Sequence, residues 1–333
     1  MSDENLQVLL ARRPTGWVEA ADLRLHSAPI PEPADGEVLV RNLWLSLDPY
    51  MRGRMSDAKS YAEPVALGAV MVGGTAGEVL RSRHPDFRAG DKVVGMLGWQ
   101  LYGCAPGKAL AKVDASRVPL QAYLGTLGMP GVTAWYGLNR ICEPRPGETV
   151  VVTAASGAVG SVVGQIAKAR GCRVVGVAGG PAKCRYVTDE LGFDACVDYK
   201  AGQLGADLRA ALGEGFDCLF ENVGGEIFDR LLALARPFAR IALCGTISDY
   251  NATEPYPMRN VRAVLVSRLK LQGFIVSDHM ECWPQALGEL AALAVAGKLR
   301  WRESVAEGLA SAPQAFIGML RGENFGKQLV RLG

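Results

Sequence analysis

The spacing Ala154-x-x-Gly157-x-x-Gly160 is the clearest chemical signal in the chain, and the chemistry it suits is holding the pyrophosphate of a dinucleotide. It lies between the β-branched run Val150-Val151-Val152 and a stretch in which Val159, Val163 and Ile166, with Val162 beside them, return at helical spacing. Strand, tight turn and helix are therefore expected in that order. A side chain at Gly157 would keep the backbone away from a pyrophosphate, and one at Gly160 would push the helix off the strand. Ala154, Gly157, Ala158, Val159 and Gly160 are assigned to this turn, where a helix N-terminus offers N–H groups and a partial positive charge to phosphate. The next apolar strand ends Val177-Ala178-Gly179-Gly180. Domains that prefer NAD offer an acid roughly 20 residues past the glycines to hold the ribose hydroxyls, and no carboxylate stands beside Gly179.

Such a turn needs a sheet behind it. Beyond it the sequence alternates: helix Pro181 to Leu191, strand Ala195 to Val197, helix Leu204 to Leu212, strand Phe216 to Glu221, helix Glu226 to Leu234 and strand Arg240 to Cys244. A further strand, Leu269 to Ile275, and a helix from Cys282 to before Gly297 follow. Strand-helix alternation of this kind predicts an α/β fold with a doubly wound parallel sheet. Ahead of it, a helix is expected over Gly131 to Ile141. From Asn5 to Tyr123 short alternating stretches such as Glu37 to Leu47 and Lys92 to Met96, separated by Gly and Pro turns, predict a small, partly open β-barrel. The tail, with helix Pro313 to Leu320 and strand Lys327 to Leu332, is expected to rejoin it. Two domains result, 1–124 with 301–333 and 125–300.

Composition narrows the function. Thirty-six basic against thirty-four acidic residues leave a net charge of +2, with no basic cluster, so a nucleic-acid partner is not expected. The polar, acidic start Met1-Ser2-Asp3-Glu4-Asn5 does not read as a signal peptide, and the longer apolar stretches are interrupted by Gly, Ser, Gln or Glu, so no membrane span is expected. Eight cysteines without a C-x-x-C pair read as thiols of a reducing, cytoplasmic compartment. His26, His84 and His279 are isolated from each other and from the cysteines, and no metal site is expected.

Leu47-Asp48-Pro49-Tyr50-Met51-Arg52, Gly128-Met129-Pro130-Gly131-Val132-Thr133-Ala134, Gly157-Ala158-Val159-Gly160, Glu221-Asn222-Val223-Gly224-Gly225 and Gly326-Lys327 occur in that order. With them the chain, from about Val8 to Val330, resembles the zinc-independent medium-chain dehydrogenase/reductases, in the group of leukotriene B4 dehydrogenase, prostaglandin reductase and plant double-bond reductase. The resemblance implies a GroES-like barrel domain, a Rossmann domain, NADP(H), a homodimer, and reduction of the C=C bond of a small-molecule substrate, an enone or enal. It gives Lys183 and Tyr199 to the 2′-phosphate and Asn222 to the ribose. Gly245, Thr246 and Ser248 then lie along the pyrophosphate-to-nicotinamide side, Phe274, Ile275 and Asn324 complete that wall, and Met129 and Thr133 lie near the nicotinamide. Simpler readings stand beside these: a solvated Lys183, a packing ring at Tyr199, an Asn222 amide that satisfies its own turn, and a core Phe274. The zinc branch carries Gly-His-Glu where this chain reads Val72-Gly73-Gly74, and its run of four close cysteines is absent here.

Reducing an enone requires hydride at the β-carbon, a donor to the enolate oxygen and a proton for the α-carbon. For the donor, Tyr50 is the first candidate and Tyr250 the second, each with packing as its alternative. Several relatives carry a tyrosine where this chain has Val266, so the cofactor's ribose hydroxyl is a further candidate for the proton. Two other activities fit the same motifs, a quinone oxidoreductase and a nonenzymatic NADPH-binding protein.

Overall fold

The computed structural model describes residues 4–333, in two units: residues up to Gly125 with Glu303–Gly333, and Thr126–Arg302. The first begins with two strands that the sequence reading did not separate, β1 (Glu4–Leu10) and β2 (Leu23–Pro29), antiparallel from Glu4 opposite Pro29 to Leu10 opposite Leu23. β2 leaves Leu25 exposed, so its pattern carries little burial signal. The long β3 (Glu37–Leu47) follows, and its end leads into the short helix α1 (Tyr50–Arg54). Next come β4 (Thr75–Ser82), β5 (Lys92–Gly95), β6 (Tyr102–Pro106) and β7 (Leu110–Lys112). β3 is the hub, antiparallel to both β4 and β6. Its pairing with β4 shifts register between Leu39 and Val40 and between Asn42 and Trp44, and bulges of this kind let a sheet curl towards a barrel. Trp99 lies fully buried behind it, edge-on to Phe316 at 5.5 Å.

The second unit opens with α2 (Met129–Tyr136), which widens into a π-type segment, Gly137–Cys142, ended by Glu143 in a left-handed conformation. The helix expected over Gly131 to Ile141 is thus present but changes pitch midway. The sheet contains β8 (Thr149–Thr153), β9 (Arg173–Ala178), β10 (Ala195–Asp198), β11 (Phe216–Glu221), β12 (Ala235–Leu243) and β13 (Lys270–Gly273). Its helices are α3 (Gly160–Ala169), α4 (Pro181–Arg185), α5 (Leu204–Leu212), α6 (Gly225–Leu232), α7 (Arg262–Val266) and α8 (Trp283–Val295). All pairs are parallel in the order β10-β9-β8-β11-β12-β13. That order reverses between β8 and β11, where open α/β sheets bind ligands. Val150, Val151 and Val152 are fully buried, as a strand covered on both faces requires.

Three boundaries differ from expectation. α4 continues as a π-type turn, Tyr186–Glu190. β12 begins at Ala235, five residues early, because a bulge with Phe238 at φ 66° lets Ala235 pair with Phe216 before Arg240 pairs with Cys218. β13 stops at Gly273, so Phe274 and Ile275 follow the strand. Near the end of this unit, Gln165 of α3 donates to the Arg300 carbonyl and accepts from the Arg300 N–H, both at 2.8 Å.

The chain then returns to the first unit. β14 (Glu303–Glu307) and β15 (Lys327–Arg331) are parallel, joined through α9 (Ala312–Leu320), and β15 lies antiparallel to β3 with Gln328 opposite Leu47. Lys327 closes this seam. Its ammonium donates to the Leu47 carbonyl at 2.7 Å and to Asp48 Oδ1 at 2.8 Å, while Ser46 Oγ donates to the other Asp48 oxygen. Both charges are buried, and burial pulls the Lys327 ammonium below the usual lysine range against the opposing pull of Asp48. Removing one member of such a pair leaves the other without compensation. Lys327→Met is expected to destabilise this unit by about 3–5 kcal/mol, and combining it with Asp48→Leu to recover much of that loss. Urea unfolding of the single and double variants checks this, and a single variant as stable as the parent contradicts it.

Candidate active site

After β8 the backbone turns sharply at Ala154, which takes the left-handed φ of 49° that glycine would adopt without cost. Its carbonyl accepts the Gly157 N–H at 2.9 Å. A Cβ on Gly160 would lie 2.5 Å from that same carbonyl oxygen, so the closeness of α3 to the turn permits only glycine there. Gly157, Ala158 and Val159 are partly exposed at the head of α3, so their backbone is open to a ligand. Ala154, Gly157, Ala158, Val159 and Gly160 are thus brought together in one turn at the carboxyl end of β8.

The neighbouring corner, at the ends of β9 and β10, is cationic. Asp198 is its only nearby acid in sequence, and the backbone occupies it: Oδ1 accepts the N–H of Gly180 at 2.7 Å and of Lys200 at 2.9 Å. Tyr199 packs onto Gly179 so closely that a Cβ there would lie 2.7 Å from the tyrosine hydroxyl. The Lys200 ammonium lies over the Tyr199 ring, 5.9 Å from its centre. Burial, and then the charge of Lys200, pull the half-buried Lys183 ammonium below the usual lysine range. Positive charge at the ends of neighbouring strands favours an anion.

Where the strand order reverses, the ends of β8 and β11 are tied together. Asn222 donates its backbone N–H to Thr153 Oγ1 at 2.7 Å and its side-chain amide to the Thr153 carbonyl at 2.8 Å. The amide therefore satisfies the end of β8 and not a group of its own turn, and in doing so ties the two strand ends together. The segment after β12 docks on that turn through Ile247 N–H to the Asn222 carbonyl (3.3 Å) and Ser248 N–H to the Val223 carbonyl (2.9 Å). Gly245, Thr246, Ser248 and Tyr250 are carried there, with the Tyr250 hydroxyl against Gly245. Glu221 lies beneath, fully buried, with Oε1 accepting from Val223 N–H, Gly224 N–H and Thr153 Oγ1.

Other assigned residues of this unit lie on α2 and after β13. Thr133 is buried, and its hydroxyl donates to the Met129 carbonyl one turn back at 2.7 Å, while Met129 itself is exposed. Phe274 packs edge-on to the core ring Phe220 at 6.2 Å and against Tyr136 at 5.4 Å, so it is a packing ring at least on that side. Ile275 follows it, partly exposed. Tyr136 and His279 stack at 4.2 Å and share a 2.9 Å hydrogen bond.

Tyr50 and Asn324 belong to the first unit. Tyr50 begins α1 half-buried, with the Arg54 guanidinium over its ring, and burial followed by the Asp48 charge holds its phenol well above the usual tyrosine range. It remains a protonated donor at neutral pH. Asn324 donates to the Gly326 carbonyl at 2.8 Å and shapes the turn before Lys327. At position 73 a Cβ would lie about as close as van der Waals contact forbids, 2.9 Å from the Trp99 indole and 3.0 Å from Leu45, so a histidine has no room there. Among the described residues no group of three or more His, Cys, Asp or Glu is placed to hold a metal ion.

Sequence reasoning passed over Asp198, Lys200, Thr153 and Glu221 as participants. A signal existed for the last: an acid ending an apolar strand immediately before Asn-Val-Gly-Gly is an expensive residue to bury without purpose.

A parallel sheet in this order, with a glycine turn after its first strand, is a Rossmann domain, and the strands around β3 form a GroES-like domain. Family models described as "N-terminal domain of oxidoreductase" and "Zinc-binding dehydrogenase" match residues 6–113 and 158–292. The NADPH-dependent curcumin reductase of Escherichia coli is 47% identical, over 98% of this chain and 97% of its own length. The NADP(+)-dependent 2-alkenal reductase of Nicotiana tabacum is 42% identical, over 98% and 97%. The crystal structure of CurA from Vibrio vulnificus in complex with NADPH is 46% identical with a TM-score of 0.95, over 98% of this chain and 99% of that one. The chain belongs to the zinc-independent medium-chain dehydrogenase/reductases, in the group that includes these reductases and prostaglandin reductase.

Burial pushes the Glu221 carboxyl up to about 7 from its ordinary 4.5, against the opposing effect of its N–H donors. Between those values the folded chain keeps a proton that the unfolded chain has lost, so stability falls as pH rises from about 4.5 to about 7 and is level above. The change is on the order of 3 kcal/mol. Glu221→Gln should flatten this slope, as read from urea midpoints at about pH 5 and about pH 8, and an identical slope in the variant contradicts the assignment.

Proposed function

We propose that this chain is an NADPH-dependent reductase of the C=C bond of α,β-unsaturated ketones and aldehydes that works without zinc. The observation that carries the cofactor choice is the corner at the ends of β9 and β10, where Tyr199 packs on Gly179 with the Lys200 ammonium over its ring, and Asp198 Oδ1 is already taken by two backbone N–H groups. The donor set fits the cofactor: ammonium groups and the Tyr199 hydroxyl for a 2′-phosphate, and the Ala154–Gly160 turn with the head of α3 for the pyrophosphate. Asn222, Gly245, Thr246 and Ser248 line the path towards the nicotinamide, with Met129, Thr133, Phe274, Ile275 and Asn324 assigned around it. When bound, NADPH supplies hydride to the carbon β to the carbonyl.

The chain's own part is to orient the enone and hold a proton for its oxygen. Attack at the carbonyl carbon would leave a localised alkoxide, for which the zinc branch uses its metal. Conjugate addition spreads the charge over an enolate, and a neutral donor is enough. Tyr50 is assigned that role because its phenol stays protonated, with Tyr250 or the cofactor ribose as the alternative donor. Its relatives named for curcumin and for 2-alkenals support the conjugated-carbonyl class.

Two further readings belong with this one. The protein is assigned to the cytoplasm, since its eight cysteines are all free and no helix among the described residues is long and apolar enough to cross a membrane. It is assigned as a homodimer, supported by the open edge of β13 with exposed Leu271 and by exposed Val261, Leu265 and Val266 nearby.

Lys183→Ala should weaken NADPH about 10- to 150-fold and leave NADH little changed, because one charge-assisted contact is worth about 1.5–3 kcal/mol. Equal losses for both cofactors would remove Lys183 from the phosphate site. Tyr50→Phe should lower kcat/KM about 10- to 1,000-fold, and an unchanged variant moves the donor role to Tyr250 or the ribose. The reaction class is read from the product of a simple enone with C4-deuterated NADPH: label at the β-carbon of a saturated ketone is expected, and label on a carbinol carbon contradicts the proposal.

A further inference from the structure

Glu221 ends β11 and has no part in the reaction just described, yet more of the switch point converges on it than on any cofactor residue named above. Its Oε1 accepts from Val223 N–H at 2.6 Å, Gly224 N–H at 2.8 Å and Thr153 Oγ1 at 3.0 Å. Thr153 Oγ1 in turn accepts the Asn222 N–H, so the hydroxyl relays the carboxyl's position to the next residue. The Glu221 carbonyl accepts from Cys244 N–H at 2.8 Å and Gly245 N–H at 3.2 Å. One residue thus joins the end of β8, the end of β11 and the segment leaving β12. Its second oxygen, Oε2, is buried with no hydrogen-bond partner among the described residues.

We propose that Glu221 is a positioning residue for the dinucleotide: through Thr153 and the N–H groups of Val223 and Gly224 it fixes Asn222 and the Gly224-Gly225 turn, and so sets cofactor affinity. This rests on the NADPH reading above. A purely structural clasp would be served as well by a neutral side chain, since Thr153 and the two N–H groups need only one acceptor oxygen. The orphaned oxygen makes the carboxyl costly, and the groups packed against it are neutral: the Thr153 hydroxyl, the turn N–H groups, and the thiol of Cys244. Burial of that thiol, and then Glu221 itself, push Cys244 up to about 12 although the residue as a whole is partly exposed. With its carboxyl pushed up to about 7, Glu221 changes charge in the neutral range, and its ionised form places an unscreened negative charge under a turn assigned to an anionic cofactor. NADPH and a proton on Glu221 should therefore favour each other.

The test uses the full chain, with NADPH Kd by fluorescence titration and steady-state KM for NADPH and for a simple enone. Glu221→Leu and Thr153→Val should each raise the NADPH Kd and KM about tenfold or more, with the enone KM within about twofold of the parent. Glu221→Gln keeps the acceptor oxygen and at about pH 6 should hold NADPH affinity within about threefold of the parent. From about pH 6 to about pH 8 the parent should lose about three- to tenfold more NADPH affinity than Glu221→Gln does, since only the parent carries the carboxyl. If Glu221→Leu does not fold, Thr153→Val, which retains the carboxyl, decides. A folded Leu or Val variant with parental NADPH affinity, equal rises in both KM values, or superimposable pH profiles overturns the positioning role while the reductase reading stands. A parent chain that binds no NADPH overturns both.

Discussion

Where two parallel strands part company, their last peptide groups lose the partners that the sheet gave them, and something else must satisfy them. In this protein that constraint falls at the ends of β8 and β11, and the Thr153, Glu221 and Asn222 contacts meet it. The glycine turn leaves β8 one residue later, the Asn222 turn leaves β11, and the Gly245–Ser248 segment docks on the latter. Each surface assigned to the cofactor's centre is hung from this joint. The cost is one carboxyl without full solvation, and it is met by three donors on a single oxygen.

The electrostatic design at the other end is of the opposite kind. An acid ends β10, but two backbone N–H groups are held by one of its oxygens, while burial and then the charge of Lys200 pull the Lys183 ammonium below the usual lysine range. In the proposed reading, discrimination between cofactors rests on an anion being favoured at this corner, which a phosphorylated ribose brings and a plain one does not.

How much of this could be read from the chain depended on whether a residue's task was local. Gly160 was legible because close helix-strand approach is a property of a few consecutive residues. Val150 to Val152 were legible because full burial on both faces erases alternation. β1 and β2 were not, since β2 is mostly exposed and so lacks the alternation that would mark its register against β1. The early start of β12 was hidden because it requires Phe238 to take a left-handed backbone that its side chain disfavours. At the site, the resemblance supplied Lys183 and Tyr199 but not Lys200 or Asp198, whose parts appear only when two strand ends lie side by side. Phe274 was left between two readings, and its packing on Phe220 and Tyr136 supplies the missing contact information.

The seam between β15 and β3 has a consequence for how the molecule is made. Lys327 reaches back across 280 positions to Leu47, so the sheet around β3 is closed only after the intervening unit has been made. The intervening dinucleotide-binding unit has every strand of its own sheet by Gly273 and its last helix by Val295, so its whole chain is made before Lys327. Until Lys327 emerges, β3 has an open edge and Asp48 has no cation to be buried with. A nascent chain interrupted before Lys327 would therefore carry a formed cofactor domain and an unsealed barrel, a state recognisable to proteolysis as a whole unit and not as a frayed end.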